Sequence, residues 1–393
     1  MPFTSCGGCL KDIFITEAEI IDRYVGNQLW NWGCNTNGQL GTNNVTFRSS
    51  PVQTTSGGTN WKQLSTGIYP TSAIAAIKTD GSLWLWGINT DGILGTNSLV
   101  SQSSPVQTVS SGTNWKQITS GSQVTAALKT DGTLWMWGNL SNGLNIPETR
   151  RSSPVQHFSG GSNWKQISLG RYHMSAIKTD GTLWLWGTVS GGRIGNNCTA
   201  VDVSSPVQTV SGGTNWKQVS AGSQSTAAVK TDGTLWIWGC NCYGALGTDS
   251  TISVSAPVQT VSGGTNWKYV SLGGEFDLNT SHTAAIKTDG TLWLWGDGCF
   301  GKLGTNSVIS QSSPVQTVSG GTNWKQVSLG AFHSAAIKTD GTLWTWGEGA
   351  NGKLGNNSNA NRSSPVQTVS GGTNWKQVEA GVTSTLAITY TES

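Results

Sequence analysis

Charged residues are scarce in this chain. Only 11% of its 393 residues are Asp, Glu, Lys or Arg, and the formal net charge is +3. A protein that holds nucleic acid or an anionic membrane through charge needs a broad basic surface, because Lys and Arg must neutralise the phosphates. The composition therefore argues against nucleic acid as a partner.

Long apolar runs are also absent. No stretch of 18 apolar residues occurs, so the sequence predicts neither a transmembrane helix nor membrane insertion. The segment from Met1 to Ile20 lacks a basic start followed by an apolar stretch, so no signal peptide is predicted. Export would then need another route, such as cell lysis.

Cysteine is sparse, and seven residues over a long chain do not resemble a disulfide framework. Cys6 and Cys9 form a single C-x-x-C pair, with no second pair to complete a tetrahedral zinc site. They are the only metal candidates, and no cofactor is expected. Cys240, Cys242 and Cys299 follow Trp-Gly in two neighbouring repeats, so we expect them close together and interpret them as free thiols.

Tryptophan, by contrast, is abundant, and all 21 residues belong to a repeat of about 51 residues. Each of the seven copies holds one Trp-x-Trp-Gly and one Asn-Trp-Lys motif. The first motif starts at Trp30, Trp84, Trp135, Trp184, Trp236, Trp293 and Trp344. Pro-Val-Gln also recurs seven times, at intervals of 49 to 57 residues. A period of this length is typical of one propeller blade.

Each copy contains four short runs that are typical of β-strands. They surround Pro-Val-Gln-Thr-Val, Trp-Lys-Gln-Val-Ser, Ala-Ala-Ile-Lys-Thr and Thr-Leu-Trp-Leu-Trp, and Gly, Ser and Asn separate them. From Leu83 to Trp86, leucines and tryptophans alternate, so both faces of the sheet are apolar. Such a sheet suits a blade that lies between two other blades.

Asp-Gly joins the last two strands of six copies, as in Thr79-Asp80-Gly81-Ser82. This pair predicts a two-residue turn in which both residues adopt positive φ. The seventh copy is split, because the chain ends on a strand at 386–390 and begins on its partner at 28–32. The sequence therefore predicts an all-β, seven-bladed propeller of four-stranded antiparallel blades over residues 27–393, closed by pairing the chain ends.

A run of Gly-x-x-His, Ala-Ala-Ile-Lys-Thr-Asp-Gly-Thr-Leu-Trp-x-Trp-Gly and Asn-Gly-x-Leu-Gly resembles the regulator of chromosome condensation repeat. The clearest copy runs from Gly330 through His333 to Gly355. The resemblance covers residues 27–393 and implies the same seven-bladed propeller. Members of the family differ widely in function, and include exchange factors, light sensors and protein inhibitors.

Two features narrow what the resemblance implies. The founding exchange factor of the family uses a wedge inserted in one blade and a basic tail, and neither is evident here. The near-identity of the seven copies instead resembles repeat proteins of bacteria and their viruses. These observations favour a virion component over an exchange factor for a small GTPase.

The sequence offers no catalytic constellation. Aspartates such as Asp80 and Asp131 recur once per copy at a turn, which indicates a role in folding. Three of the four histidines, His173, His282 and His333, occupy similar positions spread around a ring and cannot form a metal triad. We therefore expect no enzyme activity.

Differences among the seven copies concentrate in two sets of loops, which are the candidate binding surface. One set follows Trp-Gly, at 34–48, 88–103, 139–151, 188–203, 240–254, 297–311 and 348–362. The other set supplies the candidate binding residues, which are Tyr69, Gln123, Arg171, Tyr172, Gln224, Phe276 and Phe332. Aromatic and amide groups around one mouth of the channel suit a host-surface protein or a glycan. The alternative is that these residues plug the mouth.

Residues 1–26 lie outside the repeat. Thr16-Glu17-Ala18-Glu19 is a capping box, which predicts a short amphipathic helix. Its apolar residues are Ile15, Ile20, Ile21 and Tyr24. We interpret this segment as a docking element for other structural proteins, with a helix that covers one end of the ring as the alternative.

These observations favour a non-enzymatic structural or adhesion protein, exposed on a virus particle or a cell surface. A soluble regulator or inhibitor that binds a partner protein is the second hypothesis. An exchange factor or an enzyme is the third.

Overall fold

The computed structural model describes residues 24–55, 58–67, 73–110, 112–141, 144, 150–275 and 280–392. These residues form seven four-stranded antiparallel sheets arranged as a seven-bladed β-propeller, so the predicted fold is confirmed. Short 3₁₀ turns occur at Ser190–Gly192, Cys242–Gly244, Cys299–Gly301 and Ala350–Gly352. No α-helix lies in these ranges, and none of their helices is long and apolar enough to cross a membrane.

The strands occupy four positions in each blade. The inner strands, which line the channel, are β3 (Trp61–Thr66), β7 (Trp115–Ser120), β11 (Trp164–Leu169), β15 (Trp216–Ala221), β19 (Trp267–Glu275), β23 (Trp324–Leu329) and β27 (Trp375–Ala380). The second strands are β4 (Ile74–Lys78), β8 (Val124–Lys129), β12 (His173–Lys178), β16 (Ser225–Lys230), β20 (Thr280–Lys287), β24 (His333–Lys338) and β28 (Ser384–Glu392).

The third strands carry the Trp-x-Trp-Gly motif. They are β1 (Tyr24–Gly33), β5 (Leu83–Gly87), β9 (Leu134–Asn139), β13 (Leu183–Gly187), β17 (Leu235–Gly239), β21 (Leu292–Gly296) and β25 (Leu343–Gly347). The outer strands are β2 (Arg48–Gln53), β6 (Gln102–Gln107), β10 (Arg150–Gln156), β14 (Val203–Gln208), β18 (Val254–Gln259), β22 (Gln311–Gln316) and β26 (Arg362–Gln367). Blade 1 comprises β3–β6, and blades 2 to 6 follow in chain order. Blade 7 combines β27 and β28 with β1 and β2.

The two chain ends close the ring, as predicted. In blade 7, β1 pairs antiparallel with β28, with Leu29 opposite Ile388 and Asn31 opposite Leu386. The pairing extends outward to Tyr24 and Glu392. Because β1 and β28 are the two central strands of this sheet, each is paired on both sides and neither chain end leaves an open strand edge.

Tryptophan packs the space between blades. The Trp61 and Trp86 rings lie 6.2 Å apart, and both are fully buried, whereas Trp84 is half-buried. Lys78 places its ammonium 4.3 Å above the Trp84 ring centroid, and this cation–π contact recurs in blades 1 to 6. The Trp86 indole also donates to the carbonyl of Gln39 in the preceding blade. These tryptophans thus hold neighbouring blades together.

The Asp-Gly turn differs from the prediction in its geometry. Gly81 has a φ of 80°, but Asp80 does not adopt positive φ, and the Gly81 amide donates to the carbonyl of Lys78. The Asp80 carboxylate instead accepts bonds from the Ser82 amide (2.8 Å) and hydroxyl (2.7 Å). The expectation of positive φ at both residues was wrong. With its carboxylate capping the turn, Asp80 keeps a negative φ, and of the two residues only Gly81 takes the left-handed conformation.

A belt of loops joins the blades at their outer edges. The Asn43 amide donates to the Ser103 carbonyl of the next blade, and Asn357 donates to Ser49 across the closure. Asn43 and Asn357 have φ of 55° and 56°, a conformation that Asn tolerates better than most residues. Part of each variable loop therefore serves the scaffold.

Candidate functional site

Two sets of connections emerge at the same end of every blade. Because each sheet is an antiparallel meander, the connection from inner to second strand and that from third to outer strand lie at one end. We call this end the loop face. The first set borders the channel mouth, and the second set forms the periphery. All the predicted binding residues that the structure describes belong to the first set.

The structure places the candidate binding residues in packed rather than open positions. Arg171 and Gln224 are buried, and Gln123, Tyr172 and Phe332 are half-buried. Tyr69 and Phe276 lie outside the described residues. The described residues therefore form part of the predicted circle, but much of their surface packs against the mouth of the ring.

Tyr172 and Arg171 form a stacked pair on blade 3. The guanidinium lies 4.9 Å from the Tyr172 ring centroid, a distance at which the ring attracts the cation. The Arg171 carbonyl accepts a bond from the Ser122 hydroxyl of blade 2. This stacking holds the Tyr172 ring in place at the edge of the mouth.

Phe332 on blade 6 lies between two lysines. The ammonium groups of Lys302 and Lys353 lie 5.8 and 5.6 Å from its ring centroid, and the Phe300 ring meets it edge to face at 5.9 Å. Phe300 is 38% exposed. Two phenyl rings from neighbouring blades thus share one part of the loop face.

Tyr243 and Phe300 occupy the same position in blades 4 and 5 and have unusual backbone conformations. Their φ angles are 56° and 61°, where bulky residues are rare and strained. Gly191 and Asn351 fill this position in blades 3 and 6, and both residue types tolerate it. Tyr243 is 49% exposed. Folding does not require an exposed aromatic ring here, so these two residues are candidates for function.

Two buried ion pairs support this part of the loop face. Lys302 bonds Asp297 at 2.7 Å with both side chains fully buried, and Lys353 bonds Glu348 in the next blade. Each lysine also donates to a carbonyl of the following blade, Lys302 to that of Ala331 at 3.2 Å. Burial lowers the pKa of Lys302, and the opposing charge of Asp297 raises it in part. Sequence reasoning missed these pairs, although the same spacing of acid and lysine in two copies was a visible signal.

The ring histidines His173, His282 and His333 are fully buried and bond to the neighbouring blade. His333 Nε2 lies 2.7 Å from the Thr385 hydroxyl, which itself donates to the carbonyl of Lys353. Because a hydroxyl has one proton, Nε2 must be the donor to Thr385. Burial lowers the pKa of His333 well below its ordinary value. His173 and His282 make equivalent contacts to the next blade.

The central channel is lined by side chains that tie inner strands together, and it encloses about 300 Å³. Gln117 donates to the carbonyl of Ile167 (2.9 Å) and accepts from its amide (3.1 Å). Glutamines make one or both of these bonds at every junction except that of β19 and β23, where Tyr269 replaces the glutamine. Tyr269 is therefore one of two departures from the repeat inside the channel.

Glu379 is the second departure, at a position that is Ser or Thr in the other six copies. Its carboxylate accepts bonds from the Ser328 hydroxyl at 3.0 Å and the Gln377 amide at 3.3 Å. Burial raises its pKa to about 7. Both Tyr269 and Glu379 line the channel, and burial, and secondly the charge of Glu379, raise the pKa of Tyr269.

Among the described residues, no cluster of three or more His, Cys, Asp or Glu could hold a metal ion. Cys6 and Cys9 lie outside the described residues, as do Ile15, Ile20 and Ile21 of the predicted docking helix. Tyr24, which was predicted on that helix, begins strand β1 instead. Its assignment to a helix was wrong, because the last residues of the chain offer it a strand partner.

The regulator of chromosome condensation (RCC1) repeat matches five segments, at 27–74, 80–128, 232–278, 289–337 and 340–388. A second form of the same repeat matches 216–245 and 324–353. The chain belongs to the RCC1 repeat family.

Among RCC1-repeat proteins, the ultraviolet-B receptor UVR8 of Arabidopsis thaliana is 28% identical over 360 residues, which are 86% of this chain and 65% of UVR8. The human E3 ubiquitin-protein ligase HERC2 is 32% identical over 178 residues, 44% of this chain and 4% of HERC2. The chain therefore spans less than two thirds of either relative.

Two solved structures share the fold. Prp20p of Saccharomyces cerevisiae has a TM-score of 0.79 at 16% identity, with 98% of this chain and 97% of Prp20p covered. Human WBSCR16 has a TM-score of 0.77 at 21% identity, with 93% and 99% covered. Prp20p binds Gsp1p and histones, and its complex with Kap60 has been solved. At these identities the structural likeness extends to the fold alone.

Proposed function

We propose that this chain is a non-catalytic propeller that binds a partner protein through its loop face. The contact surface is the aromatic sector, which we define as Tyr172, Tyr243, Phe300 and Phe332 on the consecutive blades 3 to 6. The observation that carries the proposal is the pair of partly exposed rings at Tyr243 and Phe300, held at positive φ. Backbone strain at an exposed aromatic residue has no use in the scaffold.

The surroundings of the sector favour a protein over a glycan. Aromatic residues are enriched, and charged residues are depleted, at the centres of protein interfaces. The peripheral loops of the same face add exposed apolar side chains, at Val45, Phe47, Leu99, Val100, Val201, Ile252, Val308 and Ile309. A partner that presents apolar side chains fits this surface.

The virion or cell-surface location expected from the sequence gains no support from the relatives named above, which come from yeast, a plant and humans. The proposal does not depend on it. Exchange activity on a small GTPase is a narrower form of the same proposal, and the partner recovered from the organism that encodes the chain decides between them.

The test compares proteins captured from a lysate of that organism by the wild type and by Tyr243→Asn/Phe300→Asn. Asn fills the same left-handed position at Asn351, so the variant keeps its fold. The matched control is Val318→Thr/Val369→Thr, at the opposite end of the blades, where Thr55 stands in blade 7.

Quantitative mass spectrometry should show at least one protein that the control retains and the aromatic-sector variant loses. An identical set of captured proteins for all three would refute the proposal. Retention on a glycan array that only the aromatic-sector variant loses would instead assign the face to a glycan.

A further inference from the structure

Cys240 and Cys242 bring two thiols together on the loop face of blade 4. Their Sγ atoms lie 2.7 Å apart, and both residues are partly exposed. A disulfide bond is about 2.05 Å long and joins side chains whose Cβ atoms point toward each other. The two sulfur atoms therefore need to move by less than an ångström to bond.

The backbone around the two thiols is fixed by Asn241, which is fully buried. Its side chain donates to the carbonyls of Ser250 (2.8 Å) and Ile252 (3.1 Å) and accepts from the Leu246 amide (2.8 Å). The Cys240 amide donates to the Gln224 carbonyl at 3.0 Å. These contacts fix the backbone on both sides of the turn, so the two cysteines keep a constant Cα separation and only side-chain rotation moves their sulfur atoms.

A turn of the same construction, in blade 7, carries one thiol. In Cys34-Asn35-Thr36, Asn35 donates to the Thr46 carbonyl and accepts from the Leu40 amide, and the Cys34 sulfur lies 3.6 Å from the Thr36 hydroxyl. The turn therefore forms without a second cysteine. The fold of the turn does not explain why residue 242 is a cysteine. What Cys242 adds, compared with the turn at Cys34, is a second reactive thiol.

We propose that Cys240 and Cys242 are a redox-active thiol pair that closes to a disulfide by exchange with a small-molecule disulfide such as oxidised glutathione. The Cys240 thiolate attacks one glutathione sulfur, which forms a mixed disulfide and releases one glutathione thiolate. Cys242 then loses its proton and attacks the Cys240 sulfur, which releases the second glutathione. Two protein thiols and one oxidised glutathione thus give one protein disulfide and two reduced glutathiones.

The order of the two steps follows from the surroundings of Cys242. Burial, and secondly a hydrogen bond to Cys240, raise the pKa of the Cys242 thiol to about 12, which makes it a poor first nucleophile. Proximity offsets this in the second step, because the reaction is intramolecular. Cys299 holds the equivalent position in blade 5, but its thiol donates to Asp297, which raises its pKa.

The test treats the folded protein with oxidised glutathione, blocks the remaining thiols by alkylation and measures tryptic peptide 231–268, which holds no other cysteine. We expect this peptide to lose two hydrogens and to resist alkylation. In the Cys240→Ser and Cys242→Ser variants, this peptide should carry one glutathione or one alkyl group and should form no disulfide. In denaturant, at the same ratio of oxidised to reduced glutathione, the equilibrium ratio of disulfide to dithiol for this pair should be at least 10-fold lower.

Thr36→Cys provides a matched gain of function, because it places a second thiol beside Cys34 in the same anchored turn. Peptide 24–48 of this variant should also lose two hydrogens. Full alkylation of peptide 231–268 after treatment, or one glutathione on each of its cysteines, would overturn the proposal. So would equal closure in folded and denatured protein.

Discussion

Phe300 and Phe332 meet edge to face across the junction of blades 5 and 6, with ring centroids 5.9 Å apart. Phe300 reaches this contact from a backbone φ of 61°. Beneath the rings, Lys302 forms a fully buried ion pair with Asp297. Blades 5 and 6 thus differ from the common pattern of the repeat in two ways: they have partly exposed phenyl rings, and they have buried charged residues beneath those rings. Both differences lie on the loop face.

Replacing Tyr243 by Asn should stabilise the protein. The Tyr243 ring is 49% exposed, and its φ of 56° is strained for a bulky residue, whereas Asn351 has the same conformation in blade 6. We expect the free energy of unfolding to rise by about 0.5–1 kcal/mol, since the strain is relieved and little packing is lost. Urea denaturation measures the change. A loss of stability would show that the ring packs against the scaffold.

Removing one partner of the buried ion pair should be costly. Asp297→Asn leaves the Lys302 ammonium buried without its counter-charge, and we expect a loss of about 3–5 kcal/mol. The double variant Asp297→Cys/Lys302→Ala installs the residues that blade 4 has at these positions, Cys240 and Ala245. It should recover most of the loss in urea denaturation. A double variant as unstable as the single one would contradict this account.

Glu379 should make stability fall as pH rises. Its pKa is about 7 in the folded protein and 4.5 in the unfolded one, so between these values the folded state holds a proton that the unfolded state has released. Rising pH therefore favours unfolding over this window. Because the side chain is half-buried, we expect about 2 kcal/mol rather than the full linkage value.

The matched variant is Glu379→Ser, the residue found in five of the other copies. The stability of this variant relative to the wild type should rise as the pH increases from 4.5 to 7. The buried histidines oppose this trend, because their lowered pKa values reduce stability as pH falls below 6.5. Both proteins contain these histidines, so their effect cancels when the stability of the wild type is subtracted from that of the variant. A difference that does not vary with pH would refute the assignment.

A further test restores the glutamine hydrogen bonds that are missing between inner strands β19 and β23. Tyr269→Gln supplies at β19 the residue that ties the other inner strands to their neighbours. Two new hydrogen bonds to the Val327 backbone should stabilise the protein by about 1–2 kcal/mol. The loss of the packing of the phenol ring should offset part of this gain. We expect a net change below about 1 kcal/mol in urea denaturation, with slower amide exchange at Val327. An unchanged rate of amide exchange at Val327 would mean that these hydrogen bonds do not form.

The scaffold could be predicted from the sequence because its signals are local and repeated. Trp spacing, alternation at Leu83–Trp86 and the split seventh copy each follow from strand geometry. The Asp-Gly turn was predicted in place but not in conformation, since its φ depends on the bonds from Ser82 to Asp80. Those bonds are visible only in three dimensions.

The candidate site was less predictable, for a physical reason. Variability among copies marks Arg171 and Gln224 as well as Phe300, but whether a loop residue is buried depends on contacts with the next blade. Arg171 and Gln224 are buried by such contacts. Glu379 and Tyr269 were visible as departures from Ser and Gln, but their meaning required knowing which strand lines the channel.

The most direct test of the proposed binding face is photocrosslinking in the organism that encodes the chain. A photoreactive phenylalanine analogue replaces Phe300 in one strain and Val318, at the opposite end of the blades, in another. Binding through the aromatic sector predicts a discrete crosslinked protein from position 300 and none from position 318. Crosslinks of equal yield from both positions, or none from position 300, would contradict it.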